Sequence, residues 1–409
     1  MDRVQIKKLV PKRAIEMYKI MRKKFIEAEF RFFGHSEIVK NRVVFCNVWG
    51  YGDNPRWVAE ALLRKKQSLA DTAAVSPEII FITDTSKAAE IPKGITVYRT
   101  NTPEAIRALA TARVWVDCNR KEPYIRKRKG QYYIQTWHGS LPLKKIEGDC
   151  KAELTDEYMK NAARDTKMTN LYLSDSPFCD EIYRRAFNYN GRIIHTGSPR
   201  LDVLLDNNRE RREEYRRAIT QSDEKELIVV YAPTFRGNGG GLTSSENAES
   251  IADVFAERFE KKVKVIKRLH PLAMTKAERG NGGDGLTFGD RYTVDGNSYG
   301  DLYELLAAAD VLITDYSNTL FEFAMAGRPV FLYAPDKAEY AETRGMYFDY
   351  DSLPFPIAEN VEELRNNIVN YDEEAYTKCR TEFFKRLGVR ENGDASERVA
   401  EIIMKVISG

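Results

Sequence analysis

From residue 43 onward the chain repeats one pattern, a short run of β-branched or aromatic residues followed by a longer stretch with helical periodicity. The first runs are VVFCNV (43–48), EIIFIT (78–83), ITVYR (95–99), RVWVD (113–117), YYIQTW (132–137), NLYLS (170–174) and RIIHTG (192–197). Several are apolar at successive positions rather than at alternate ones, which suits strands covered by helices on both faces. Such alternation predicts a parallel sheet built from βα units.

A second series follows, LIVVYA (227–232), KVKVIKRL (262–269), VLITD (311–315) and PVFLYA (329–334). Between the two lies Asn207–Glu226, almost wholly polar and charged, which reads as the boundary between domains. With 409 residues the chain exceeds what one core usually organises, so two domains are expected. The expected organisation is a basic amphipathic leader (1–34), an N-terminal Rossmann-like domain (35–215), a C-terminal Rossmann-like domain (225–390) and a final helix (391–409) packing back on the first domain. Residues 237–245 and 280–286 are glycine-rich stretches expected to be mobile loops, the second far from any strand–turn–helix context that would make it a phosphate cradle.

The five cysteines, Cys46, Cys118, Cys150, Cys179 and Cys379, are far apart and form no C-x-x-C pair, so a disulfide framework and a zinc site are not expected. No apolar run is long enough to span a bilayer and no signal core opens the chain, which points to the cytoplasm. The net charge is only +3, yet residues 1–33 hold ten Lys/Arg against four acids. That segment also carries Phe25, Phe30, Phe32 and Phe33. Two readings stay open: an interfacial helix drawn to the anionic inner face of the membrane, or a solvated helix whose phenylalanines pack on the domain. Nucleic-acid binding is not expected, since the remaining basic run is only RKRK at 126–129.

In doubly wound domains ligands bind beyond the carboxyl ends of the strands, so residues just after each strand carry the chemistry. Two of the four histidines, His138 in QTWHGS and His270 in RLHP, stand there. A neutral imidazole can take a proton near pH 7, and its protonated form can stabilise phosphate charge. Thr314, Asp315, Ser317, Asn318 and Thr319 cluster where a strand gives way to a helix, and unpaired N–H groups in a first helical turn suit a pyrophosphate. Thr319 with Glu322 three residues on reads equally as a capping box. Fixed cations for a phosphoryl group could come from Arg236, Lys267, Arg268 and Arg200. The triplet DYD (349–351) matches a metal-binding pattern that arises easily by chance, and GYGD (50–53) lacks the third glycine of a dinucleotide fingerprint. No metal and no cofactor are expected.

In their order, QTWHGSLPLKK (135–145), GSPRLD (197–202), YAPTFR (231–236), RLHP (268–271), ITDYSNTLFEFA (313–324) and RGMYFDY (344–350) resemble the CDP-glycerol glycerophosphotransferase family. It comprises teichoic-acid primases and polymerases, capsule polymerases and ribitol-phosphate transferases. The resemblance implies a GT-B fold, two Rossmann-like domains facing across a cleft, with CDP held by the C-terminal domain. It implies His138 as the base on the acceptor hydroxyl and His270 on the donor phosphates. Arg236, Ser317, Asn318 and Thr319 would hold the pyrophosphate and Glu322 the ribose, with Arg268, Thr314 and Asp315 completing the donor side. Trp137, Gly139, Lys144, Arg200 and Asp202 are expected on the acceptor or cleft side. The implied partners are CDP-glycerol or a related CDP-polyol and a lipid-linked or polymeric polyol-phosphate acceptor. A nucleotide-sugar glycosyltransferase or UDP-sugar 2-epimerase would share the architecture, and a non-catalytic membrane scaffold would leave both histidine motifs unexplained.

Overall fold

The computed structural model describes residues 12–68, 75–84, 91–221, 225–234, 245–269, 293–296, 299–343 and 345–409. Its thirteen described strands are β1 Val39–Cys46, β2 Glu78–Thr83, β3 Ile95–Arg99, β4 Ala112–Asp117, β5 Tyr132–Gln135, β6 Leu171–Ser174, β7 Arg192–His195, β8 Leu227–Tyr231, β9 Val263–Lys267, β10 Thr293–Asp295, β11 Val311–Thr314, β12 Val330–Tyr333 and β13 Ile357–Ala358. Six helices position the polar side chains at the strand ends or flank the two sheets: α1 Lys12–Phe33, α2 Asp53–Ser68, α3 Asp156–Met168, α4 Arg209–Thr220, α5 Thr319–Met325 and α6 Ala395–Ser408.

The first sheet runs β3-β2-β1-β4-β5-β6-β7 and the second β10-β9-β8-β11-β12-β13. Both follow the doubly wound order, in which the chain starts mid-sheet, moves to one edge, then returns to build the other half. Their ladders are parallel, with Phe45 opposite Phe81 on one side and Val116 on the other. Val44, Phe45, Phe81, Trp115 and Val116 are fully buried, as the continuous apolar runs require. Each such aliphatic or phenylalanine side chain contributes about 1.5–3 kcal/mol by leaving water.

Eleven of the thirteen strands coincide with runs read from the sequence. β10 and β13, three and two residues long, carry too few apolar positions to form a recognisable run. β5 ends at Gln135 rather than at Trp137, because Trp137 adopts a left-handed φ of +55° that turns the chain out of the sheet.

The chain divides into two compact units, one of residues 1–138, 160–173 and 396–409, the other of 139–159 and 174–395. In the first, Ile26 and Phe30 of α1 are buried in the core and Phe33 packs against it. Helix α6 belongs to this unit, with Glu397 paired to Arg64 at 2.9 Å and to Lys65 at 3.2 Å. The polar stretch Asn207–Glu226 lies in the second unit, where its described part forms α4. Arg212 and Arg216 of that helix reach Asp310 at 2.7 and 3.0 Å, so its charges serve a solvated face and one ion-pair cluster. Residues 237–244 and 280–286 lie outside the described residues, as do residues 1–11 of the leader.

Candidate active site

Each sheet has a switch point where the strand order reverses, between β1 and β4 in the first and between β8 and β11 in the second. In the first unit the chain leaving β4 and β5 builds a compact polar layer there. His138 Nδ1 lies 2.9 Å from the carbonyl oxygen of Cys118. A carbonyl can only accept, so Nδ1 carries the proton and Nε2 is the basic nitrogen. The exposed imidazole stacks on Trp137 at 4.3 Å between centroids. The Arg120 guanidinium stands 5.2 Å from the Trp137 ring centroid, held by Asp165 at 3.1 Å and Tyr172 Oη at 2.6 Å.

Asp165 is itself fully buried and accepts from the Lys121 N–H at 3.1 Å and from Tyr133 Oη at 3.3 Å. Burial pushes its carboxyl up, against the opposing pull of Arg120. Next to this layer Lys121 Nζ sits 2.7 Å from Asp117 and donates to Cys46 Sγ at 3.2 Å. Burial raises the Asp117 carboxyl and lifts the Cys46 thiol to about 11. Burial works to lower the Lys121 value, but Asp117 and Cys46 more than offset it and leave it raised. Cys46 therefore remains a thiol at neutral pH and is no nucleophile.

In the second unit the switch point is bridged by side chains. Thr314 Oγ1 donates to the Ala232 carbonyl at 2.7 Å, and Asp315 accepts from the Thr234 N–H at 2.9 Å and its hydroxyl at 2.5 Å. Both Thr314 and Asp315 are buried, so they fasten the ends of β8 and β11 together. Beyond them Ser317 Oγ and Thr319 Oγ1 lie 2.7 Å apart at the start of α5.

The capping box expected from Thr319 and Glu322 does not form. Asn318 occupies the cap position without a side-chain cap, and Glu322 turns into the interior. Its Oε1 accepts from Arg200 Nη2 at 2.5 Å and the Ser140 N–H at 3.2 Å, and its Oε2 accepts from Tyr303 Oη. A cation holds a carboxylate more strongly than a neutral backbone amide does, and the Thr319 N–H is already bonded to Ser317 Oγ at 3.3 Å, which decides the competition. Arg200 also lies over the Tyr303 ring at 4.7 Å. Asn318 Oδ1 accepts the Leu143 N–H at 2.9 Å, so the Gly139–Leu143 segment is docked on the start of α5. A Cβ on Gly139 would come within 2.6 Å of Asn318 Nδ2, which explains a residue without one.

Lys144 stands over Tyr340 at 5.2 Å, and Tyr340 stacks on Tyr316 at 3.7 Å. Lys144 bridges Met346, and Lys145 N–H and Tyr347 N–H bond the carbonyls of Gly345 and Leu143, each at 2.9 Å. Two motifs remote in sequence, SLPLKK and GMYFDY, thus share one short ladder. Asp202 accepts from the Ala395 N–H at 3.0 Å. The Arg268 guanidinium, just beyond β9, binds the carbonyls of Gly296 and Tyr299, which follow β10. In the DYD triplet Asp349 accepts from the Asp351 N–H at 3.4 Å, and Asp351 pairs with Lys337 at 2.8 Å. A cavity of about 440 Å³ opens beside Tyr347, Phe348 and Tyr350, but its cation Lys337 is already engaged by Asp351 and Glu359. Among the described residues no group of three or more His, Cys, Asp or Glu side chains could hold a metal ion. Arg236 and His270 lie outside the described residues.

The structure therefore brings Trp137 and His138 together in one unit, and Gly139, Arg200, Asn318 and Glu322 in the other. Thr314, Asp315, Asp202 and Arg268 are engaged by the protein's own groups. Sequence reading missed Arg120, Asp165 and Tyr303, because nothing in a helix such as α3 marks which polar residue is buried.

The chain matches the family model CDP-Glycerol:Poly(glycerophosphate) glycerophosphotransferase over residues 28–405. It is 30% identical over 332 residues to a teichoic acid poly(glycerol phosphate) polymerase of Staphylococcus epidermidis, covering 78% of this chain and 45% of that protein. It is 30% identical over 315 residues to a teichoic acid glycerol-phosphate transferase of Staphylococcus aureus, covering 73% of this chain and 77% of that one. The structure of the wall teichoic acid polymerase TagF superposes with a TM-score of 0.79 at 26% identity, covering 96% of this chain and 97% of the other. The chain thus spans less than half the length of the S. epidermidis relative and about three quarters of the S. aureus one.

Proposed function

The chain belongs to the CDP-glycerol:poly(glycerophosphate) glycerophosphotransferase family, and from that premise we propose that it moves a glycerol phosphate or related polyol phosphate from a CDP-linked donor to an acceptor hydroxyl. The product would be a teichoic-acid-like or capsule polymer, and CMP would be released. The observation that carries this reading is the His138 tautomer, with Nδ1 held on the Cys118 carbonyl and Nε2 left as the basic nitrogen of an exposed imidazole just beyond β5.

In the proposed step Nε2 of His138 takes the proton of the acceptor hydroxyl, whose oxygen attacks the β-phosphorus in line. The new P–O bond forms as the bond to the α-phosphate oxygen breaks, and the electron pair leaves with CMP. Such transfers need positioning and charge stabilisation more than covalent help. Ser317, Asn318 and Thr319 at the start of α5, with Arg236 and His270, are proposed to hold the pyrophosphate. The reading includes the two Rossmann-like domains facing across a cleft. Glu322, with partners on both oxygens, is better suited to fixing Arg200 and Ser140 than to a ribose.

The direct test is CMP release from CDP-glycerol with a glycerol-phosphate oligomer as acceptor, together with thermal-shift ranking of CDP against UDP. Turnover and stabilisation by CDP are expected. Stabilisation by UDP in preference to CDP would favour a nucleotide-sugar enzyme, and no stabilisation by either would favour a scaffold.

Among the described residues no helix is long and apolar enough to cross a membrane. The proposal for the membrane therefore rests on α1. Met17, Met21, Phe25 and Phe32, spaced four and seven residues apart, are all more than 60% exposed, while Ile26 and Phe30 on another face are buried. Lys24 flanks that outer face on one side and Arg22 on the other, and Lys19 and Lys23 are exposed elsewhere on the same helix, so α1 suits an anionic lipid surface, each basic residue contributing about 1 kcal/mol. Replacing these four by glutamate is expected to abolish sedimentation with phosphatidylglycerol vesicles at low salt. Sedimentation equal to wild type would remove α1 from this role.

A further inference from the structure

The turn between β1 and α2 leaves the first sheet at its switch point, yet it contains none of the residues of the proposed transfer site. It is held rigidly. Asn47, buried, accepts the Trp49 N–H at 3.2 Å and donates Nδ2 to the Gly52 carbonyl at 3.1 Å. Gly50 takes a φ of +141°, which allows the tight reversal. Tyr51 packs edge-on to Phe81 at 4.8 Å and donates its hydroxyl to Glu60 at 3.1 Å. On this clamped turn Trp49 is 65% exposed and Val48 beside it is 43% exposed.

The first side chain of α2 after Asp53 ties the turn to the histidine. Asn54, fully buried, donates Nδ2 to the Trp137 carbonyl at 3.0 Å. Trp137 in turn stacks on His138, whose Nδ1 bonds the carbonyl just beyond β4. Trp49 and His138 thus stand at the same carboxyl edge of one parallel sheet, around the crevice where such sheets bind ligands. The turn offers no cation to a phosphate, since residues 47–53 contain Asp53 and no Lys or Arg and the nearby Arg56 is paired with Glu60 at 2.8 Å, so what it presents to a ligand is the apolar indole itself. An indole face carries negative π density and suits the weakly positive C–H groups of a sugar or polyol.

We propose that Trp49, with Val48, is a stacking platform for the carbon faces of the acceptor's sugar or polyol units. This rests on the proposed transfer reaction, in which His138 deprotonates an acceptor hydroxyl. The platform grips the acceptor by its backbone carbons, beside the point where its terminal hydroxyl meets the imidazole, and contributes to acceptor affinity rather than to the chemical step.

The test uses the full chain, CDP-glycerol as donor and a soluble glycerol-phosphate oligomer as acceptor. Trp49→Ala is expected to raise the acceptor KM about ten-fold, with little loss of kcat at saturating acceptor and no change in the KM for CDP-glycerol. Trp49→Phe should recover most of the affinity. Trp115 and Trp137 are buried and the indole nitrogen of Trp57 is shielded, so a blue shift of emission on adding the oligomer should come from Trp49 and vanish in Trp49→Ala. An unchanged acceptor KM in an active Trp49→Ala variant overturns the platform. So does loss of vesicle binding in that variant with an unchanged KM, which would identify Trp49 as a membrane contact. If the wild type releases no CMP but its emission still shifts with the oligomer, the platform stands and the transfer reading falls; if neither occurs, both fall.

Discussion

His138→Ala is expected to keep the unfolding temperature and the affinity for CDP-glycerol near wild type while CMP release falls at least about 10²-fold, the usual contribution of a positioned general base. The imidazole is exposed, so its removal opens no buried cavity. What it removes is a nitrogen whose basicity is directed by the Cys118 carbonyl at 2.9 Å and whose ring plane is fixed by Trp137 at 4.3 Å. Proton transfer is sensitive to such placement, since the acceptor oxygen must reach the phosphorus as its proton leaves. CMP release close to the wild-type rate, measured in a single-turnover assay to separate chemistry from product release, would take the role of base away from His138.

The largest effect on stability is expected from Arg200→Met. Arg200 is 6% exposed and Glu322 is fully buried, and they meet at 2.5 Å. Removing one member of a buried ion pair leaves the other charged and desolvated, which costs about 3–5 kcal/mol. The Ser140 N–H and Tyr303 hydroxyl still donate to Glu322, but neither carries the compensating charge. The double replacement Arg200→Met with Glu322→Gln should recover part of the loss, because no buried charge is then stranded. Thermal and denaturant unfolding of the single and double variants would measure this, and a single variant as stable as wild type would show that the pair is not energetically buried. Since Glu322 and Asn318 together dock Gly139–Leu143 on α5, the single variant should also weaken stabilisation by CDP.

Much of the fold was legible because a parallel strand covered on both faces must be apolar at every position, and few other structures demand that. Phe45, Trp115, Val229 and Leu312 announce their strands without any tertiary information, and all are buried. That Trp137–His138 and the start of α5 stand just beyond strand ends was legible for a related reason, since the apolar runs before them mark where those strands lie. The two phenylalanines of α1 that pack inward and the two that face outward could not be separated, because both sets lie on one amphipathic helix and only packing tells them apart. Glu322 was misread because its spacing from Thr319 fits a local cap, while the competing partner Arg200 is 122 residues away.

Residue order alone settles the class of the protein: two series of βα units, the histidines and the hydroxyl-rich helix start at strand ends, and an ordered set of motifs that fixes the family. These are local patterns, and local patterns survive in one dimension. Which polar residues serve the scaffold and which face the ligand edge is settled by packing in three. Packing commits Thr314 and Asp315 to joining β8 with β11, Arg268 to backbone carbonyls and Glu322 to Arg200, and it sets the His138 tautomer through Cys118. A side chain's partner is chosen by burial and by charges brought close by the fold, and neither is written in the spacing of residues along the chain.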